Sequence, residues 1–203
     1  RGLLIQPDRA FSQREIARGT LMTEGFVSRI VSRLEADRYL VREPDGKLRP
    51  RDPKILLDAW GDEYRFDRHT VIEGLVAART GEALTRSVSD ALVAAAQEHA
   101  ATGLSAAWQM TAFATFRTAT FYLGVVPSAK LLEKLSFREG ASGANLWLVV
   151  PNDAGVFQEA EVRKGVRCVH PVQAYLDLKS HPERSAEAAA RLRSECLNWK
   201  ANG

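Results

Sequence analysis

Arg29 and Arg33 sit one helical turn apart in the run TEGFVSRIVSRLEAD, residues 23–37, with Ser28 and Ser32 each one position ahead of them. A guanidinium can give two parallel N–H bonds to a guanine edge or a phosphate, and a hydroxyl can meet a phosphate or a base edge. Thr23 and Glu24 open the same segment. Lys47, Arg49 and Arg51 cluster just past a Pro44-Asp45-Gly46 turn, where cations could reach the sugar-phosphate backbone or the minor groove. Together these residues form a candidate site for double-stranded DNA. A solvated surface helix also presents a polar, basic face, so the reading depends on the elements that hold these residues.

Those elements are legible. Ser12-Gln13-Arg14-Glu15 is a capping box, with Phe11 and Ile16 placed for a hydrophobic staple. Gly19 is expected to end the short helix, and Leu21 in the following turn to pack between two helices. Thr23 is a second N-cap. Val27, Ile30, Val31 and Leu34 recur at i, i+3, i+4 and i+7, which predicts one core-facing stripe. Tyr39-Leu40-Val41 reads as a strand, Gly46 as the left-handed residue of a tight turn, and Leu48 as the start of the return strand. Upstream, Leu3 and Leu4 look like the end of a helix stopped by Pro7, whose earlier part would precede Arg1. Ala10-Phe11 is a short apolar link suited to a small strand. Helix, turn, longer helix and a two-stranded wing form a winged helix-turn-helix. Proteins of this kind usually read two half-sites as dimers, so a homodimer is compatible, though no residue specifies its interface.

Charge placement agrees. Of the formal net charge of +3, residues 1–53 carry all of it, with 11 Lys/Arg against 8 Asp/Glu, and residues 54–203 hold 17 of each. At 203 residues, 45% hydrophobic and 26% charged, the chain suits one large or two small globular domains. Cys168 and Cys196 lack metal-ligand spacing; they read as free thiols of a reducing cytoplasm, with a lone disulfide as the alternative. No run approaches a membrane span, and the apolar patch Leu3-Leu4-Ile5 is too short for a signal peptide.

Beyond a helix led by Pro53 and carrying Ile55, Leu56, Leu57 and Trp60, the pattern changes near residues 66–70. Thr70–Val76 is extended and 80–97 helical; Thr102-Gly103 is a break, with a second helix from about Ser105. FRTATFYLGV and GANLWLVVP read as strands, with the short helix PSAKLLEKLSF between them. VFQEAEVRKGVRCVHP reads as two strands about Lys164-Gly165, and two closing helices follow. The expected fold class is α/β (α+β) in two domains: a winged helix-turn-helix over 1–66, then an α/β domain with a mixed sheet over 67–203.

Across residues 3–196 the chain resembles the AbiEi-type antitoxin transcriptional regulators of bacterial type IV toxin–antitoxin systems. The likeness runs through LLIQPDRAFSQREIA, GFVSRIVSRLEADRYLVR, LLDAWGDEYRF, ATGLSAA, NLWLVVPNDAGVF and HPVQAYLDLKSHPERSAEAA. The resemblance implies a cytoplasmic repressor of its own promoter, bound to inverted repeats. It also implies a C-terminal domain that neutralises a nucleotidyltransferase-like toxin without stably binding it.

Enzymatic alternatives find little support. A nucleotidyltransferase needs paired aspartates behind a Gly-Ser step to hold its metal, and Ser142-Gly143 has none. Asp153 with Glu159, Glu161 and Arg163 only echoes a metal-dependent nuclease, lacking the lysine. No glycine loop for a nucleotide is present. His69, His99, His170 and His181 are scattered and read as structural, so no catalytic residue, metal or cofactor is expected. Asp177 stands out, and a structural bond to Gln173 explains it more simply than a functional carboxylate. Trp108 and Trp147 are expected in the core. The alternatives are a winged-helix protein–protein module without DNA binding and, behind it, a metal-dependent nuclease or nucleotidyltransferase-like enzyme with its site in residues 70–203.

Overall fold

The computed structural model describes residues 1–199. The chain folds as two compact units, Arg1–Tyr64 and Arg65–Asn198.

The first unit is built from local signals. Helices α1 (Gly2–Ile5), α2 (Gln13–Thr20) and α3 (Glu24–Ala36) are followed by the antiparallel strands β1 (Leu40–Arg42) and β2 (Leu48–Pro50), then helix α4 (Pro53–Glu63). Ser12 and Glu15 close the capping box in both directions: the Glu15 amide donates to Ser12 Oγ at 3.2 Å and the Ser12 amide to Glu15 Oε2 at 2.7 Å. That donated amide, with the Ser12 hydroxyl and Arg9, holds the Glu15 carboxyl below the usual carboxylate range. Thr23 caps α3 by accepting from the Phe26 amide, and Asp52 caps α4 with Pro53 in its first turn. Phe11 exchanges two 2.8 Å backbone bonds with Leu48, adding a third strand segment to the wing. Ala17, Val27, Val31 and Leu48 form the core here, with Ile16 packed against it.

Three expectations fail in this unit. Helix α2 does not stop at Gly19; it continues to Thr20 and ends at Leu21, which takes the left-handed conformation at φ 55°. In that position Leu21 points outward and is 96% exposed rather than packed between helices. The stripe of α3 is also narrower than expected. Val27 and Val31 are buried and Leu34 half-buried, whereas Ile30 lies at the exposed margin.

In the second unit a seven-stranded sheet runs in the order β6-β3-β7-β5-β4-β9-β8. The strands are β3 (Thr70–Leu75), β4 (His99–Thr102), β5 (Ala119–Leu123), β6 (Arg138–Glu139), β7 (Leu146–Val150), β8 (Glu161–Arg163) and β9 (Val166–Cys168). β5 pairs parallel with β7 and β4 parallel with β9, and the other neighbours are antiparallel, so the sheet is mixed. The helices are α5 (Gly81–Ala94), α6 (Gly103–Thr111), α7 (Ala129–Lys134), α8 (Pro171–Leu178) and α9 (Ser185–Cys196). Leu84, Val88 and Leu92, four apart, are the sealed face of α5. Each such side chain contributes about 1.5–3 kcal/mol relative to exposure. Every residue of α8 is buried, Gln173 and Asp177 included. The class and the mixed sheet agree with the sequence.

Strand β4 was not legible. Alanine favours helix, yet His99–Thr102 is wholly buried between β5 and β9. Ala100 and Ala101 carry little bulk, which lets α5, α6 and α8 pack close to the strand. Gly103 then turns strand into helix at φ +55°, and a Cβ there would lie 2.7 Å from the His181 ring. Trp108 and Trp147 are half-buried rather than core. Lys164 lies over the Trp108 ring, and Trp147 stacks on His181 at 4.8 Å. Among the described residues no helix is long and apolar enough to cross a membrane.

Candidate nucleic-acid interface

Burial of Val27 and Val31 turns the opposite side of α3 to solvent. Gly25, Arg29, Ser32 and Arg33 are all exposed there, and Ser28 is half-buried at the flank. A Cβ at Gly25 would meet nothing within 4 Å, so this face is flat near the helix start, where a recognition helix meets base edges. The Arg29 guanidinium lies over the Phe26 ring at 5.7 Å, and Arg33 reaches Asp37 at 3.7 Å. Glu24 pairs with Arg14 of α2 at 3.3 Å, and the Thr23 hydroxyl oxygen is engaged as the N-cap.

The wing is ordered by its own polar contacts. Gly46 at φ +83° makes the turn, and the Lys47 amide donates to Asp45 Oδ1 at 3.1 Å. Lys47 pairs with Asp45 at 2.8 Å, which raises the lysine pKa and lowers that of the carboxylate. Arg49 is half-buried against Glu43. Arg42 grips Glu35 with two bonds of 3.0 and 2.9 Å and also bonds the Gly46 carbonyl. Arg51 is exposed, and its amide donates to the Tyr39 carbonyl. The α3 arginines are thus more available than Arg49. Exposed ion pairs are worth little and exchange readily, so Lys47 can trade Asp45 for a phosphate.

Sequence reasoning missed the apolar part of this surface. Leu21, Met22, Phe26 and Ile30 are all exposed, Phe26 at 44%. The signal was present in Phe26, which falls outside the buried stripe of its helix. Leu21 carries a separate expectation. Left-handed backbone is unfavourable for leucine and free for glycine, so Leu21→Gly should stabilise the unit by about 0.5–1 kcal/mol. Thermal or urea unfolding checks it, and a lower midpoint would contradict the geometry.

The polar residues of the second unit are gathered differently. Asp177 is fully buried and accepts from Tyr122 Oη at 3.0 Å, Gln173 Nε2 at 2.9 Å and the Thr102 hydroxyl. Tyr122 Oη also lies 3.1 Å from His69 Nε2, while His69 Nδ1 accepts from the Asn152 amide at 3.2 Å. With Nδ1 an acceptor, neutral His69 donates through Nε2 to Tyr122, which donates onward to Asp177. His181 Nε2 lies 2.6 Å from Thr120 Oγ1, and Phe66 sits against both His69 and His181. His69 and His181, far apart in sequence, thus pack on the same Phe66 ring as interior ties. His170 caps α8, and His99 Nδ1 donates to the Gln97 carbonyl. The acidic residues of the nuclease echo do not converge. Asp153 caps a 3-10 turn, Ala154–Phe157, and Glu161 pairs with Arg163. Among the described residues no group of three or more His, Cys, Asp or Glu could hold a metal. Both cysteines are free, and burial pushes the Cys168 thiol up to about 12.

Burial pushes His181 down to about 4, against a weaker upward pull from Glu183, and pushes His170 down to about 4. The unfolded chain takes up these protons near 6.5. Between pH 6.5 and 4 it therefore binds more protons than the folded chain, and stability falls as pH falls. His181 alone contributes on the order of 3 kcal/mol over that window. Urea midpoints at neutral pH and near pH 4.5 should show the loss, and it should shrink in His181→Gln.

Comparison with known families gives two matches that abut along the chain. Residues 2–47 match the MarR family, and residues 49–198 match the family described as transcriptional regulator, AbiEi antitoxin, type IV TA system. Neither the curated proteins nor the solved structures compared gave a match.

Proposed function

The chain belongs to the AbiEi antitoxin family of type IV toxin–antitoxin transcriptional regulators, and on that premise we propose that it binds its own promoter as a sequence-specific repressor. Helix α3 enters the major groove with Gly25 nearest the bases. Arg29 and Arg33 take guanine edges, Ser28 and Ser32 take phosphates or base edges, and Thr23 and Glu24 lie at the leading end. Lys47, Arg49 and Arg51 meet the backbone from the wing. The observation that carries this reading is the exposed, arginine-bearing face of α3, held by the Ala17–Val27–Val31–Leu48 core. Two such units in a homodimer would read inverted repeats. The second unit, expected over 67–203 and compact over Arg65–Asn198, is the antitoxin domain, which counters a nucleotidyltransferase-like toxin without a stable complex and without catalysis of its own. The setting is the bacterial cytoplasm.

The exposed apolar residues refine the reading. Phe26 beside Arg29 is suited to a thymine C5-methyl, the one apolar group in the major groove. Footprinting the upstream region locates the bound thymines, and replacing each with uracil removes only its methyl. One uracil is expected to weaken the wild-type complex several-fold and to leave the Phe26→Ala complex unchanged. The same apolar surface favours a second reading, a protein–protein module that has no DNA complex at all. Absence of any footprint selects it.

A further inference from the structure

Three arginines of the second unit converge on a groove that the proposed DNA reading does not use. Arg79, Arg117 and Arg138 line a concavity of about 530 Å³, together with Thr80, Asn145 and Glu183. None of the three makes an ion pair among the described residues. They reach the groove from separate parts of the chain. Arg79 precedes Thr80, the N-cap of the 14-residue helix α5, so it stands at that helix's positive end. Arg117 leads into β5, and Arg138 opens β6 opposite Leu75.

The walls of the groove are fixed. The Asn145 side chain clamps Val76, accepting from its amide and donating to its carbonyl at 2.9 Å each. This pins the segment that delivers Arg79. The Glu183 carboxylate accepts the Arg117 amide on one oxygen and the Thr118 amide on the other, both at 2.9 Å. Two successive backbone N–H groups thus already hold an anionic group here, as such paired donors do. Glu183 is in the left-handed conformation at φ 66°, an unfavourable state for a glutamate. It is also the acidic residue among those lining the groove.

We propose that this groove is a binding site for a phosphate group, free or carried terminally by a nucleotide. Guanidinium forks match phosphate oxygens bidentately, and the Arg117 and Thr118 amides, released by Glu183, complete the anion environment. The volume is that of a small-ligand site and accommodates a nucleotide. Glu183 acts as an internal competitor that occupies two of the donors until the phosphate arrives.

The test is titration of the full chain with inorganic phosphate, pyrophosphate and a nucleoside triphosphate at constant ionic strength, by calorimetry. Saturable binding is expected. Arg79→Gln, Arg117→Gln and Arg138→Gln, all at exposed positions, should each weaken it by about tenfold or more. Unchanged melting without ligand serves as the folding control. Glu183→Gln should tighten it, and Arg29→Ala in the other unit should leave it unchanged. Similar affinity for all three probes identifies free phosphate as the ligand, and a large preference for the triphosphate identifies a nucleotide. No saturable binding by any probe, or binding indifferent to all three arginine substitutions, overturns the site. Either result would leave the DNA reading standing.

Discussion

Asp177→Ala is expected to cost the second unit about 3–5 kcal/mol of stability, because Tyr122, Gln173 and Thr102 all donate to this carboxylate inside the protein. A buried donor deprived of its acceptor costs about 1–3 kcal/mol. The three penalties do not add fully, since neighbours relax and water can enter. Asp177→Asn keeps one acceptor oxygen but turns an amide toward other donors, so about half the loss is expected. The variants are compared by urea denaturation, with an unchanged slope showing that the unfolded state is the same. A loss below about 1 kcal/mol for alanine would mean that the cluster does not tie α8 to the sheet.

The second large effect concerns binding. Arg29→Ala should weaken the operator complex by about 1–3 kcal/mol, and the Arg29→Ala, Arg33→Ala double variant by about 2–6 kcal/mol, if each holds a guanine bidentately. Lys47→Ala should act differently. If Lys47 meets a phosphate, its loss weakens all duplexes alike and leaves the preference for the operator intact. Both arginines project from the exposed side of α3, so the variants should fold normally. A double variant with wild-type affinity would show that α3 is not the reading element.

What could be read in advance was local. The Ser12–Glu15 capping box, the Thr23 cap, the Val27–Val31 face and the Gly46 turn each depend on residues a few positions apart, and all formed. Leu21 misled because leucine in a turn normally signals packing, while here the helix needed a left-handed terminus and no glycine occupied it. The Ala-rich strand β4 went unread because its neighbours, not its propensity, decide its state. Sequence spacing pointed to the Gln173–Asp177 bond, since those residues lie one helical turn apart. It gave no sign of Thr102 and Tyr122, which lie 75 and 55 positions away from Asp177. The arginine groove was invisible for the same reason, being assembled from separate segments that only the sheet order brings together.

The central claim is that this chain grips duplex DNA through α3 and its wing. It is tested most directly by measuring affinity for the native upstream region across a salt series, beside a scrambled duplex. The logarithm of the association constant should fall linearly with that of the salt concentration, by about 0.9 for each phosphate neutralised. Lys47→Ala should reduce that slope by about one, and the scrambled duplex should bind more weakly throughout. Equal affinity for both duplexes, or no salt-sensitive complex at low ionic strength, would contradict the account.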